Sequence, residues 1–168
     1  PNIGFFPSTA FCIDPRFVAV NAEAGDPPAD RNAASIFPYV QTAVVAGPRM
    51  FRIGLTNGGP LDPQAFNACN RLLGNRPGST AIEISFGGSH FRATLDTFIC
   101  VTGAGMPLAV NGVEKPLWAV HPLAAGDTIT LGFAERGCRS YLGVADGFAI
   151  EPSFGSTATV VRESIGGL

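Results

Sequence analysis

The residues whose types and spacing could do chemistry lie in three short stretches of this 168-residue sequence. In "TNGGPLD" (Thr56–Asp62), Gly58 and Gly59 expose backbone N–H groups just before a helix start. The partial positive charge there favours a carboxylate or phosphate. Asp62 competes for that position, because its own carboxylate can bond the first free N–H groups of the helix. The residues themselves favour a turn and a cap over an anion cradle. In "TAIEISF" (Thr80–Phe86), Glu83 alternates with Ile82 and Ile84 and faces the opposite side. If that side lines a lumen, Glu83 can bind an amide or amine or act as a base; otherwise it is a solvent-facing strand residue. Arg139, after "ERGC", is placed to clamp a carboxylate or phosphate in bidentate fashion, or to sit exposed at a strand end.

Other chemistries find no support. The sequence has no GxSxG elbow, no GxxxxGK[ST] phosphate loop and no HExxH pair. "VTGAGMP" (Val101–Pro107) carries a lone Gly-x-Gly followed by a hairpin rather than a helix, so it reads as a close backbone approach rather than a dinucleotide site. His121 in "PLWAVHP" lacks a carboxylate partner and reads as structural, and Trp118 reads as core. Cys12, Cys69, Cys100 and Cys138 form no CxxC pair, and His90 and His121 are not at metal-ligand spacing. We expect no metal, free thiols and a reducing, cytoplasmic setting.

These groups need elements to hold them. "DPQAFNACNRLLGN" predicts a helix over about 62–74, with Asp62 as cap, Pro63 in the first turn, Phe66, Cys69 and Leu73 as one apolar stripe, and Gly74 as the stop. The rest reads as short strands. "TAIEISF" alternates, and "FRATL" (Phe91–Leu95) and "FICVT" (Phe98–Thr102) follow. Asn111-Gly112 marks a two-residue hairpin. Gly126-Asp127 turns into a strand with Ile129, Leu131 and Phe133 on one face, and "RSYLGVADGF" (Arg139–Phe148) adds a strand and a turn. Residues 1–36 carry little pattern and read as an extension or linker. Seven or eight strands with one helix predict a mainly β, closed or nearly closed barrel.

Hydrophobic residues make up 46% and charged residues 14%, which excludes a disordered chain. The net charge is −2 and Lys115 is the single lysine, so the sequence carries no nucleic-acid footprint. No apolar run is long enough for a transmembrane helix.

Several blocks then occur together in a specific order: "GGPLDPQAFNACNRLLGN", "AIEISFGG", "VTGAGMPLAVNG", "PLWAVHPLAAGDTITLGFAERGCRSYLGVADGF" and "GSTAT". Over about Tyr39–Leu168 they resemble the family of KipA and the 5-oxoprolinase C-subunit, also called allophanate hydrolase subunit 2 or the biotin-dependent carboxyltransferase-type domain. The resemblance implies the first half (residues 37–168) of a domain built from two cyclophilin-like β-barrel halves, with 1–36 outside it. It implies a partner of the KipI type, the 5-oxoprolinase B-subunit, and ATP-dependent opening of 5-oxoproline, with ATP acting through the complex. It also implies two alternatives: a biotin-dependent carboxyltransferase acting on urea or a related amide, or a non-catalytic regulatory partner of a kinase-inhibitor subunit. By position in the matched blocks, Asn57, Gly58, Gly59, Asp62, Asn70, Glu83 and Arg139 are the expected substrate-binding candidates, with no nucleophile named. The family's "QD", "AGG" and "GSRST" segments are replaced by Gln41-Thr42, Ala145–Gly147 with a central Asp146, and "GSTAT" with Thr157 in place of an Arg.

Overall fold

A computed structural model describes residues 11–14, 17–19, 40–43, 58–150, 152–153 and 155–160. The element order is β1 (Phe11–Asp14), β2 (Phe17–Ala19), β3 (Val40–Ala43), α1 (Pro63–Leu72), β4 (Ala81–Ser85), β5 (Ser89–Ala93), β6 (Thr97–Gly105), β7 (Leu108–Val110), β8 (Val113–Lys115), β9 (Val120–Leu123), β10 (Thr128–Leu131) and β11 (Arg136–Val144). The architecture is mainly β with one short helix, as expected. The strands form two antiparallel sheets, one in the order β1-β2-β5-β10-β7-β8 and the other β3-β4-β11-β6-β9. β1 and β2 lie within 1–36, where the sequence showed little pattern, and β2 pairs with β5.

Alternation in the strands builds the core between the sheets. Ile82 and Ile84 of β4, Ile99 and Val101 of β6, and Leu142 and Val144 of β11 join Phe91, Leu108, Ile129 and Leu131 of the other sheet in one buried cluster. The predicted hairpin forms at Asn111-Gly112, where both residues take positive φ (51° and 75°), the requirement of the tight turn between β7 and β8. Asn111 fixes this turn to the next one, donating from its side chain to Asp127 and accepting from the Thr128 N–H.

Two expectations about the core are corrected. Phe133 does not continue the buried face of Ile129 and Leu131. β10 ends at Leu131, and Phe133 is 65% exposed, its ring lying where a side chain at Gly88 would be. Trp118 is not core. It occupies a turn with φ of 60° and is 48% exposed. His121 is structural as expected: it is buried and its Nε2 lies 2.8 Å from the Pro116 carbonyl.

Candidate functional site

The second sheet has two covered faces. One meets the core; the other carries α1. Every residue of β4 is therefore buried, although its sequence alternates. Ala65, Phe66 and Cys69 of α1 pack on Ala81, Cys100 and Tyr141, forming a smaller second cluster. Gly143 makes this approach possible, since a Cβ there would lie 2.7 Å from Cys69 Sγ and 2.8 Å from Leu73 Cδ1. The helix begins as the sequence predicts. Asp62 Oδ1 accepts from the Gln64 and Ala65 N–H groups, and Pro63 takes the first turn. Gly74 follows with φ of 72°.

Glu83 lies on this outer face, sealed under the entry to α1. It faces neither solvent nor the core between the sheets, which corrects both readings offered from sequence. Its Oε2 accepts from the Tyr141 hydroxyl (2.8 Å) and from the Leu61 N–H (3.0 Å). Tyr141 Oη in turn accepts from the Asp62 N–H at 2.7 Å. Burial pushes the Tyr141 phenol well above its ordinary value, against the Asp62 N–H bond, and Glu83 pushes it further the same way. The phenol therefore stays protonated and keeps donating to Glu83.

Arg139 completes the cluster. It lies directly across from Ser85 in the β11–β4 register, while Tyr141 lies across from Glu83. Its Nε is 3.4 Å from Glu83 Oε1, an ion pair in which the Glu83 carboxylate is fully buried and the Arg139 side chain is 25% exposed. The guanidinium stacks 5.9 Å from the Phe86 ring centroid. Arg139 Nε and Nη1 and the Ser85 hydroxyl are buried without hydrogen-bond partners among the described residues.

Beside this cluster an open cavity of about 510 Å³ is lined by Leu61 and Asp62, by Gly103–Gly105 and by Arg136–Arg139. A register shift between Arg136 and Ser140 where β11 pairs with β6 shapes its floor. Such irregularities re-aim side chains at the ends of sheets. Gly103, with φ of 101°, admits it, since a Cβ there would lie 2.5 Å from the Arg139 carbonyl oxygen. The Gly-x-Gly of the sequence is thus a close backbone approach.

A family model for the carboxyltransferase domain, subdomain A and B, matches residues 53–168. The chain belongs to this family. The chain is 34% identical over 117 residues to the C-subunit of 5-oxoprolinase from Escherichia coli, covering 68% of this chain and 37% of that protein. It is 32% identical over 117 residues to urea amidolyase of Saccharomyces cerevisiae, covering 70% of this chain and 6% of that one. The chain thus spans well under half the length of these relatives. Its fold matches the Kluyveromyces lactis urea carboxylase with a TM-score of 0.74 at 27% identity, covering 92% of this chain and 12% of that chain.

Within this carboxyltransferase domain the expected site residues separate. Asp62 and Arg139 line the cavity, and Glu83 lies buried behind them. Asn70 does not: it is buried at the far end of α1, donating to the Ser79 carbonyl and accepting from Asn75, and so ties the helix to the next loop. Gly58 lies away from the cavity wall, packed where a Cβ would meet Val160 and the Thr159 carbonyl oxygen. Gly59 does not line the cavity either. Asn57 lies outside the described residues. The Thr157 hydroxyl lies 2.7 Å from that of Thr80. Sequence reasoning missed Tyr141, Arg136, Cys138 and Ser85. Tyr141 was within reach, because it follows Arg139 by two residues in a strand and so shares its face.

Among the described residues no group of three His, Cys, Asp or Glu is arranged to hold a metal, and no helix is long and apolar enough to cross a membrane. At the start of α1 the Gln64 and Ala65 N–H groups are taken by Asp62, and the Leu61 and Asp62 N–H groups just before it by Glu83 and Tyr141.

Proposed function

We propose that this chain is part of an ATP-dependent amide hydrolase of the 5-oxoprolinase type, acting on a small cyclic amide together with a KipI-type partner. The observation that carries this reading is convergence. Three of the blocks that mark the family in sequence, "GGPLD", "VTGAG" and "ERGCRS", contribute Leu61 and Asp62, Gly103–Gly105 and Arg136–Arg139 to the walls of one cavity. A cavity of about 510 Å³ suits a ligand of that size. The nucleotide belongs on the partner, since the chain has no phosphate loop and α1 is already capped. The 34% identity to the 5-oxoprolinase C-subunit supports the substrate.

Mixing the full-length protein with its partner subunits, ATP and 5-oxoproline should give glutamate at a rate that depends on ATP. No turnover with every subunit present and folded sinks the assignment. A second reading, carboxyl transfer from biotin to urea, draws on the likeness to urea carboxylase and urea amidolyase. Urea-dependent turnover with a biotin carboxylase module, and none with 5-oxoproline, would favour it.

A further inference from the structure

We infer that the cavity recognises a carboxylate group on its ligand and that Arg139 is the residue that binds it, with Glu83 and Phe86 holding the guanidinium in place. The inference rests on the reading above in taking the cavity as the substrate site, and it adds the ligand chemistry that separates an acid-bearing cyclic amide from neutral urea.

The guanidinium is oriented but underused. Glu83 Oε1 sits 3.4 Å from its Nε, Phe86 stacks on its face, and Nε and Nη1 have no hydrogen-bond partner among the described residues. Buried donors of this kind are uncommon, and each is costly to leave without an acceptor. Glu83 meets the guanidinium through Oε1 at an ion-pair distance of 3.4 Å from Nε, while its Oε2 serves Tyr141 and Leu61. Asp62, the acidic residue in the cavity wall, has its Oδ1 taken by two helix N–H groups. The Ser85 hydroxyl, also buried and without a partner, lies across from Arg139 in the sheet. Arg136 adds a second cation to the same wall. A planar carboxylate supplies two acceptors to a guanidinium edge, which pairs Nη2 with either Nε or Nη1; urea and an unsubstituted lactam do not.

Phe86 shows that the arrangement is enforced. It takes a left-handed conformation (φ of 61°) that costs a non-glycine residue energy, and it is held there by hydrogen bonds to Cys138 and Ala134 on either side. Its ring remains half exposed beneath the Arg139 guanidinium. Glu83 is a positioning residue, since it is fully buried and reaches a ligand only through Arg139.

The exposed Cys138 in the cavity wall is a built-in reporter. With the full-length protein and its partner subunits, alkylation by iodoacetamide is followed at the Cys138 peptide by mass spectrometry, and binding in parallel by calorimetry. The ligands are 5-oxoproline, 2-pyrrolidinone (the same ring without the carboxyl group) and urea. We expect 5-oxoproline to bind and to slow alkylation, and the other two to do neither at the same concentration. R139K should raise the 5-oxoproline concentration for half-protection about tenfold or more, because it keeps the charge and loses the fork. E83Q should reduce the preference for 5-oxoproline over 2-pyrrolidinone, whereas a merely structural role would weaken both ligands alike. Equal binding of 5-oxoproline and 2-pyrrolidinone, no binding of either, or R139K indistinguishable from the parent overturns the inference. ATP-dependent glutamate formation that persists unchanged in R139K removes this role for Arg139 and leaves the proposed function standing.

Discussion

Tyr141 is the residue on which the helix entry and the sheet depend together. Its hydroxyl donates to Glu83 and accepts from the Asp62 N–H, so one oxygen satisfies two buried groups from different elements. Tyr141→Phe leaves that N–H without its acceptor and should cost about 1–3 kcal/mol in urea-denaturation free energy. The pH dependence has a definite sign. The phenol is raised above its ordinary value of 10.0 in the fold, so the folded state favours the protonated form. That stabilisation is complete below the unfolded phenol's value and is lost as pH rises above it. Denaturation midpoints should fall more steeply above about pH 10 for the parent than for Tyr141→Phe. Parallel curves would remove Tyr141 as the cause. The cysteines test burial directly. Cys69 donates to the Cys100 carbonyl, and the neighbouring Cys100 thiol, with burial, pushes the Cys69 thiol up. In native conditions Cys138 should react with iodoacetamide and Cys69 and Cys100 should not. Native labelling of Cys69 would mean that α1 lifts from the sheet.

The strands and the helix follow from the chain's own periodicity, and so most of them are legible in sequence. Asp62, Pro63 and Gly74 bound α1 by local hydrogen bonding and backbone preference, which need no distant partner. Asn111-Gly112 makes its turn for the same reason. What is not local is which face of a strand is covered. Glu83 alternates with Ile82 and Ile84 as a solvent-facing residue would, yet α1 and the Leu61–Asp62 segment close over it, and no periodicity within β4 reports that. The Leu61 N–H, between the glycines read in sequence as a possible anion cradle and the helix, meets an internal anion, the Glu83 carboxylate. Trp118 and Phe133 were misplaced because each lies just past a change of direction. Gly143 is the element-scale test. Gly143→Ala sets a methyl group against Cys69 Sγ at 2.7 Å and should cost about 1–3 kcal/mol by overpacking. The double variant Cys69→Ala/Gly143→Ala should recover part of that loss, measured by thermal melting. If Gly143→Ala melts with the parent, α1 sits more loosely on β11 than its contacts indicate.

At the scale of the whole molecule, the antiparallel pair β6 and β11 sets two ends apart. Each strand is nine residues long, which at about 3.3 Å per residue is roughly 30 Å. The candidate site lies where β6 ends and β11 begins. At the opposite end a second open cavity, of about 810 Å³, is lined by Asp96–Phe98, Pro122–Ala124, Asp127, Ala145 and Asp146. The two differ in charge: Arg136 and Arg139 outnumber Asp62 in the first, while Asp96, Asp127 and Asp146 line the second. Asp127 is held below its ordinary value by Asn111 and the Ala124 N–H. An acid-bearing ligand should therefore choose one end. Hydrogen exchange on the full-length protein with the proposed partner should slow on adding 5-oxoproline at 61–62, 103–105 and 136–139, and stay unchanged at 96–98, 122–124 and 145–146. A continuous core, from Ile99 and Val101 to Leu142 and Val144, is buried between the sheets. Protection confined to the acidic end would move the site across the molecule. Equal protection at both ends would show instead that the ligand stabilises the domain as a unit.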